Sequence, residues 1–439
     1  MPLGRELMPA WALTQTLKAD AGRTTGLMGD EDSAVPRAVY ALILSFIPLF
    51  VGGGLLLIIL GAWLVTVGFT AEQAGALIAV EGLSMILTSI PLGIVSDVYG
   101  RKHLLVLGGL ASAFGLIAFS LTSNFWLLVP IVALLGVAES ASISTWNALL
   151  ADLTNFSNRN TAFSISFVVS NVATGVGFAL PGVFPFIEGP LGVTSLAIHK
   201  DTLLLLGALG LSTPLLVYSI LRKHKESHDP SRRWVGLKNR GTLARFWFVG
   251  STIGFGAGFI VPLIGSWFYF RFGVSDDITG PLLALSNILI GFSGAVSPRL
   301  ATRFGQLRAI LLTTATSMLF MLSMAFVPVF AVAAGVYVVR AALMNMSGPL
   351  MDSFSMTIFP PEQRGVVSAV NNLMFRLPNS MSTYFGGIIL GMGLLQLPFF
   401  IATGLYCCGI GGFYAFFVAS GRYARNPISA TPRPKTGEP

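Results

Sequence analysis

The chain reads Gly93-Ile94-Val95-Ser96-Asp97-Val98-Tyr99-Gly100-Arg101-Lys102 between two long apolar runs. Glycine has no side chain, so Gly93 lets two helices approach closely and Gly100 permits a tight turn. Asp97 falls at the end of a helix, where its carboxylate can pair with Arg101 or accept a hydrogen bond from the N-terminus of a neighbouring helix. The stretch therefore predicts a short polar loop between two long apolar helices.

The rest of the chain has the composition of a membrane protein. Of its 439 residues, 54% are hydrophobic and only 10% are charged, and the mean hydropathy is +0.76. A soluble protein needs about a quarter of its residues charged to cover its surface. This excludes soluble domains as the main content. The two cysteines, Cys407 and Cys408, are adjacent in an apolar run and provide no disulfide framework.

Apolar runs that could cross a bilayer recur along the whole chain. A helix needs about 20 mostly apolar residues to cross the hydrocarbon core. By this criterion we predict an all-α integral membrane protein with twelve spans, near residues 39–67, 74–95, 103–122, 125–149, 162–187, 201–221, 246–270, 277–297, 307–328, 330–357, 366–391 and 395–419.

The basic residues indicate which side each loop faces. If the N-terminus is cytoplasmic, 23 of the 27 Lys and Arg residues fall in inner segments, and only Lys200 and Arg271 fall in outer ones. The positive-inside rule predicts this asymmetry, which also explains the basic pI without a nucleic-acid partner. We therefore expect both termini in the cytoplasm, with residues 1–37 as a flexible extension and residues 421–439 as a disordered tail.

The chain also matches itself at an offset of about 205 residues. Gly68, Gly75, Leu77 and Ala79 recur as Gly273, Gly280, Leu282 and Ala284, and Arg159 recurs as Arg364. The repeat holds six spans, an even number, so both copies enter the membrane in the same orientation. This predicts two parallel six-helix bundles, 38–221 and 246–420, joined by a basic cytoplasmic linker at 222–245, with the substrate at the midplane between them.

The loop at 93–102 resembles the signature loop of the major facilitator superfamily, Gly-x-x-x-Asp-x-x-Gly-Arg-Lys/Arg, at every defining position. Asp152 at the end of the fourth span, followed by Arg159, is also similar to that superfamily. The resemblance covers roughly residues 38–420. It implies a cytoplasmic latch that stabilises an outward-open state, formed by Gly93, Asp97, Gly100, Arg101, Lys102, Asp152 and Arg159. The alternative is that Arg101 and Lys102 only anchor the topology.

Ionisable side chains inside the predicted spans are candidates for function, because such groups are costly at membrane depth and usually face a cavity or a partner. Glu139 lies near the middle of the fourth span and Glu81 lies in the second. A carboxylic acid at this depth can take up and release a proton as a cavity opens to each side. We therefore predict that Glu139 and Glu81 couple transport to protons. The alternative is a fixed salt bridge from Glu139 to Arg340 or Arg376.

The eleventh span carries a polar stripe. Ser368, Asn372, Arg376, Asn379 and Thr383 recur at helical spacing and so share one face. Polar residues also occur at matching places in the fifth span. We predict a central substrate cavity lined by Asn171, Arg340, Asn345, Asn372, Arg376 and Asn379. The alternatives are hydrogen bonds between helices, at about 0.6 kcal/mol each, and arginines that neutralise the glutamates instead of binding a substrate carboxylate or phosphate.

No phosphate-binding loop, zinc-binding spacing or nucleophile elbow occurs in the sequence, so we predict neither an enzyme nor a metal or cofactor site. The four histidines fall in loops or at helix ends. We expect a monomeric secondary transporter in the cell membrane that moves a small organic solute by alternating access. We expect protons or another ion gradient to drive it, and export is favoured by analogy with superfamily members. The alternatives are organic-anion uptake by proton symport, lipid flipping, and sensing without transport.

Overall fold

The computed structural model describes residues 34–155, 158–222, 240–359 and 364–419. These residues are almost entirely helical and contain no β-strand, which confirms the predicted all-α class. The tail at 421–439, most of the extension at 1–37 and most of the linker at 222–245 lie outside the described residues, so their predicted roles stay predictions.

The helices follow the order of the predicted spans. In the N-terminal half they are Arg37–Ser45, Ile47–Ile58 and the π-helical turn Ile59–Trp63 (first span), Ala71–Tyr99 (second), Arg101–Leu121 (third), Phe125–Asp152 (fourth), Arg159–Ala179 with Leu180–Val183 (fifth), the short Pro185–Leu191, and Ser195–Gly210 with Ser212–Ile220 (sixth). In the C-terminal half they are Arg240–Gly258 and Ile264–Phe272 (seventh), Asp276–Phe304 (eighth), Gln306–Met324 (ninth), Phe330–Ile358 (tenth), Arg364–Gly391 (eleventh), and Leu397–Phe413 with Tyr414–Val418 (twelfth).

Nine of these segments are long and apolar enough to cross a bilayer. The seventh, eighth and eleventh predicted spans are also helical, but they are broken or more polar than the others. A helix that lines a polar cavity need not be apolar all round, so the structure is consistent with twelve spans. The seventh span begins at Arg240, earlier than the predicted 246, because its basic residues continue the helix. One of them, Arg245, packs against the protein, with its guanidinium 5.7 Å from the centre of the Phe416 ring.

The two halves share one helix register. The second span, Ala71–Tyr99, and the eighth, Asp276–Phe304, differ by 205 residues at both ends. Each ends at a glycine with positive φ, +99° at Gly100 and +82° at Gly305, so both halves make the same tight turn into the next span. The close helix contact predicted at Gly93 is wrong for this conformation, since a Cβ there would meet no described atom within 4 Å.

Glycines bring the two halves together on the side predicted to face outward. A Cβ at Gly75 of the second span would lie 2.8 Å from the carbonyl oxygen of Thr383 in the eleventh span. A Cβ at Gly182, at the outer end of the fifth span, would lie 2.6 Å from the Pro281 ring of the eighth. Both contacts lie in the outer parts of their spans, so the protein is closed on this side.

On the opposite side, the cytoplasmic end of the second span is exposed. Ile94, Val98 and Tyr99 are 55%, 62% and 73% exposed. Each half has its own hydrophobic core, around Leu42 and Leu135 in the N-terminal half and around Trp267 in the C-terminal half. With the predicted topology, the two halves therefore meet at the outer face and enclose a groove that opens towards the cytoplasm.

Candidate transport site between the two halves

Two carboxylates come together where the second and fourth spans cross. A Cβ at Gly136 would lie 2.1 Å from the carbonyl oxygen of Glu81, so the two helix backbones touch. Glu139 follows Gly136 by three residues, about one helical turn, and interacts electrostatically with Glu81. Glu139 lies 14 residues after Phe125 and 13 before Asp152, the two ends of its helix. The pair therefore lies near the middle of the bilayer.

An arginine from the C-terminal half faces this pair. Arg376 lies within electrostatic range of Glu139, and its Nη1 is 3.8 Å from Sδ of Met85, about one turn from Glu81 on the second span. Within the described parts of the chain, Glu139 forms no ion pair with Arg376 or Arg340 at 4 Å or less. The Glu139 and Arg376 side chains are both exposed. Opposite charges from the two halves therefore face a gap between them.

The polar stripe of the eleventh span has two parts. Asn372 is exposed, like Arg376 one turn away. Further out, Nδ2 of Asn379 donates to the carbonyl oxygen of Gly254 at 3.2 Å, and Oγ1 of Thr383 donates to the carbonyl oxygen of Asn379 at 2.9 Å. The inner part of the stripe thus faces the groove, and Asn379 bonds the eleventh span to the seventh. The Ser368 side chain lies outside the described residues.

The other two predicted asparagines bond mainly to their own helices. Nδ2 of Asn171 donates to the carbonyl oxygen of Phe167 at 2.8 Å, and Nδ2 of Asn345 donates to that of Ala341 at 2.9 Å. Asn171 also contacts the other half, because its carbonyl oxygen accepts from Nδ2 of Asn287 at 3.1 Å. Asn171 therefore lies at the contact between the fifth and eighth spans, and the exposed Asn345 side chain lies on the tenth span.

The structure does not bring Arg340 to the carboxylates. Its side chain is buried inside the C-terminal bundle, where Nη2 donates to Oη of Tyr406 at 3.0 Å. Oγ of Ser317 donates to the Arg340 carbonyl oxygen at 3.0 Å. Five residues separate Arg340 from Asn345, which turns their side chains about 140° apart on a helix. Arg340 consequently faces the ninth and twelfth spans.

The cytoplasmic loop residues form a local network. Arg101 pairs with Asp152 across the third and fourth spans, and Nζ of Lys102 lies 4.4 Å from the centre of the Tyr218 ring. Nη2 of Arg159 donates to the carbonyl oxygen of Ala151 at 3.1 Å, at the end of the fourth span. The Asp97 side chain lies outside the described residues. The structure thus brings Arg101 and Asp152 together within one half, and the latch stays a prediction.

One polar contact between the halves was missed by the sequence reasoning. Nε2 of His199, in the sixth span, is 2.6 Å from Oδ2 of Asp276, the first residue of the eighth span's helix. The sequence shows these only as a histidine near a helix end and one of two adjacent aspartates. The two residues are 77 positions apart, so no local pattern could pair them.

Comparison with known proteins agrees with this architecture. The family model of the Major Facilitator Superfamily matches residues 42–383. The chain belongs to the major facilitator superfamily. It is thus a multi-pass membrane protein. In the residues that the structure describes, no group of three or more His, Cys, Asp or Glu side chains could hold a metal ion.

Individual relatives are distant. The chain is 33% identical to the inner membrane transport protein YajR of Escherichia coli (strain K12) over 133 residues, which span 30% of this chain and only 27% of YajR. It is 22% identical to multidrug resistance protein 2 of Bacillus subtilis (strain 168) over 398 residues, 85% of this chain and 94% of that protein. Its fold is similar to that of a bacterial homologue of the human lysosomal transporter Spinster in an inward-facing, occupied conformation, with a TM-score of 0.68 and 16% identity over 86% of this chain and 95% of the other.

Proposed function

We propose that this transporter is a proton-coupled exporter of a small organic solute, with the transport site in the groove between its halves. The observation that carries the proposal is the group formed by Glu81, Glu139 and Arg376. These residues lie at mid-depth and come from both halves. A movement that opens the groove first to one side of the membrane and then to the other exposes these three residues to each side in turn.

Glu139 is the residue that we propose for coupling. Its side chain is exposed to the groove, and it forms no ion pair with the described residues. It is therefore accessible to protons from the open side. Interaction between charges depends on their separation, so moving the half that carries Arg376 changes the proton affinity of Glu139. That dependence links proton binding to the position of the halves.

The charge balance of the group favours a cationic or neutral solute. Glu81 and Glu139 supply two carboxylates against the single guanidinium of Arg376, while Arg340 is directed into its own bundle. An organic anion brought to this place would meet an excess of negative charge when both carboxylates are ionised. This supports export of a cation or neutral molecule over the symport of an organic anion.

The relatives support the direction of transport. Multidrug resistance protein 2 aligns over 94% of its length, and the class C tetracycline resistance protein of Escherichia coli aligns over 64% of its length. Resistance to a drug is gained when a transporter lowers the drug's concentration in the cell. We therefore propose that this chain exports its solute. In the proposed orientation, both termini face the cytoplasm.

The test uses purified protein in proteoliposomes. A thermal-shift screen first selects a solute from tetraphenylphosphonium, tetracycline, benzoate and a lysophospholipid. Accumulation of the labelled solute is then measured with an acid-inside pH gradient, with and without a protonophore. We expect Glu139→Gln to abolish gradient-driven accumulation while counterflow exchange continues. Glu188→Gln, on the short outer helix, is the matched control. Unchanged accumulation in Glu139→Gln, or accumulation that survives the protonophore, would remove the proton-coupling role.

A further inference from the structure

His199 and Asp276 form a buried polar contact across the outer seam. Nε2 of His199 is 2.6 Å from Oδ2 of Asp276, and the two residues are only 2% and 4% exposed. One residue belongs to the N-terminal half and the other to the C-terminal half. The halves must separate here when the outer face opens, so the contact exists only in states that are closed to the outside.

The geometry determines how many protons the contact holds. Nδ1 of His199 is 2.7 Å from the carbonyl oxygen of Ser195, which can only accept a hydrogen bond, so Nδ1 carries a hydrogen. Oγ of Ser195 is farther away, at 3.4 Å. A neutral imidazole has one N–H. The hydrogen between Nε2 and Asp276 is therefore an additional proton, which resides on the imidazole or on the carboxyl group.

Aromatic rings enclose this imidazole. The Trp63 ring stacks on it with centroids 4.4 Å apart and planes 18° apart, and the Phe184 ring meets it edge-on at 4.6 Å. Nε1 of Trp63 donates to Oγ of Ser195 at 3.2 Å, which holds the stacked ring in place. The face of a tryptophan attracts a cation. The Trp63 ring thus provides a face that suits a protonated imidazole.

Charged groups other than His199 and Asp276 also lie near the outer end of the protein. The first and fifth spans present the Trp63 and Phe184 rings to His199 rather than charges. Asp277 accepts a hydrogen bond from Ser275, and Glu72 accepts one from Oη of Tyr384. The remaining described charged groups near the outer ends of the two halves are Lys200, Asp201, Glu188 and Arg271.

We propose that the His199–Asp276 contact is a proton-binding site that forms when the outer face closes. Closing combines a neutral imidazole, an ionised carboxylate and one proton from the outer solution. Opening separates the two side chains and returns that proton to the outer solution. The proposal rests on alternating access by this family and not on Glu139.

The sign of the pH effect follows from linkage. A state that binds one more proton is favoured as the pH falls, by at most tenfold in the population ratio per pH unit. The closed outer face binds the additional proton. Lower pH therefore favours the closed outer face, and a rise from pH 5 to pH 8 favours opening to the outside.

The test measures the outer opening directly in full-length protein in lipid nanodiscs. Nitroxide labels replace Ser123 and Val329, in outer loops of the two halves, in a background with Cys407→Ser and Cys408→Ser. Double electron–electron resonance then gives the ratio of open to closed outer faces between pH 5 and pH 8. We expect this ratio to rise with pH in the parent protein. We expect the rise to be lost in His199→Gln and in Asp276→Asn, with more open protein at pH 5.

Two control substitutions test whether the pH dependence comes from the His199–Asp276 contact or from another carboxylate. Asp277→Asn removes a carboxylate from the adjacent position and should keep the pH dependence. Glu139→Gln should keep it too, because the central carboxylate is not part of the seam. A ratio independent of pH in the parent protein would overturn the proposal. An unchanged pH dependence of this ratio in Asp276→Asn would also overturn it. This variant provides the test even if His199→Gln does not fold. A slope lost only in Glu139→Gln would assign the proton to the central site instead.

Discussion

Gly136 touches the carbonyl oxygen of Glu81 with no side chain between them, so the second and fourth spans cross at the level of the two carboxylates. We expect Gly136→Val to force these helices apart. Overpacking of this kind costs about 1–3 kcal/mol, and it also displaces Glu139 from Glu81. Thermal unfolding should shift to lower temperature, and solute exchange in proteoliposomes should fall at least tenfold. Gly348→Ala is the control, because a Cβ there meets no described atom within 4 Å; equal effects of both substitutions would contradict the proposed crossing.

The outer seam provides a second prediction. A Cβ at Gly75 would lie 2.8 Å from the carbonyl oxygen of Thr383 and 3.1 Å from Cα of Gly387, across the two halves. Gly75→Val should therefore disfavour the closed outer face without damaging either bundle. Since 1.4 kcal/mol corresponds to a tenfold change, a strain of about 1–3 kcal/mol would raise the ratio of open to closed outer faces roughly 5- to 140-fold. Spin labels at Ser123 and Val329 measure this ratio. Gly53→Val, whose added Cβ has no described neighbour within 4 Å, should leave it unchanged.

The cytoplasmic network allows the predicted latch to be tested. Arg101 and Asp152 are partly exposed, so their ion pair contributes about 1 kcal/mol or less to stability. We expect Asp97→Asn and Asp152→Asn to slow turnover severalfold while the unfolding temperature and the solute affinity stay near those of the parent protein. Exchange rates in proteoliposomes and binding by calorimetry give the two quantities. Equal losses of turnover and affinity would argue against a latch.

Arg340 should act on stability rather than on substrate. Its Nη2 bonds to Oη of Tyr406 inside the C-terminal bundle, and removing a hydrogen bond to a buried charge costs about 1.5–3 kcal/mol. Tyr406→Phe should therefore lower the unfolding temperature and leave solute affinity unchanged. Tyr414→Phe, at an exposed position on the same span, is the matched control. A loss of solute affinity without a loss of stability would indicate that Arg340 belongs to the transport site.

The sequence predicts the fold better than it predicts the site. Apolar length and the loop at 93–102 were sufficient for the helices and the family, because each is a local property of the chain. The direction of a side chain in the tenth span is different: Arg340 and Asn345 lie in a helix without a clear polar face, so only packing determines that Arg340 points inward. Gly93 illustrates the same limit, since a glycine permits a close contact but does not require one. The pairing of His199 with Asp276 depends on how the two halves dock, which no local pattern encodes.

The separation of the two hydrophobic cores has a consequence for how the protein can be built. Among the described buried residues of the C-terminal core, Ala71 is the one member from the N-terminal half. Each six-helix unit therefore buries most of its own core without the other. Two polypeptides, divided within the basic segment that joins them, should insert independently and reassemble in a membrane into a working carrier.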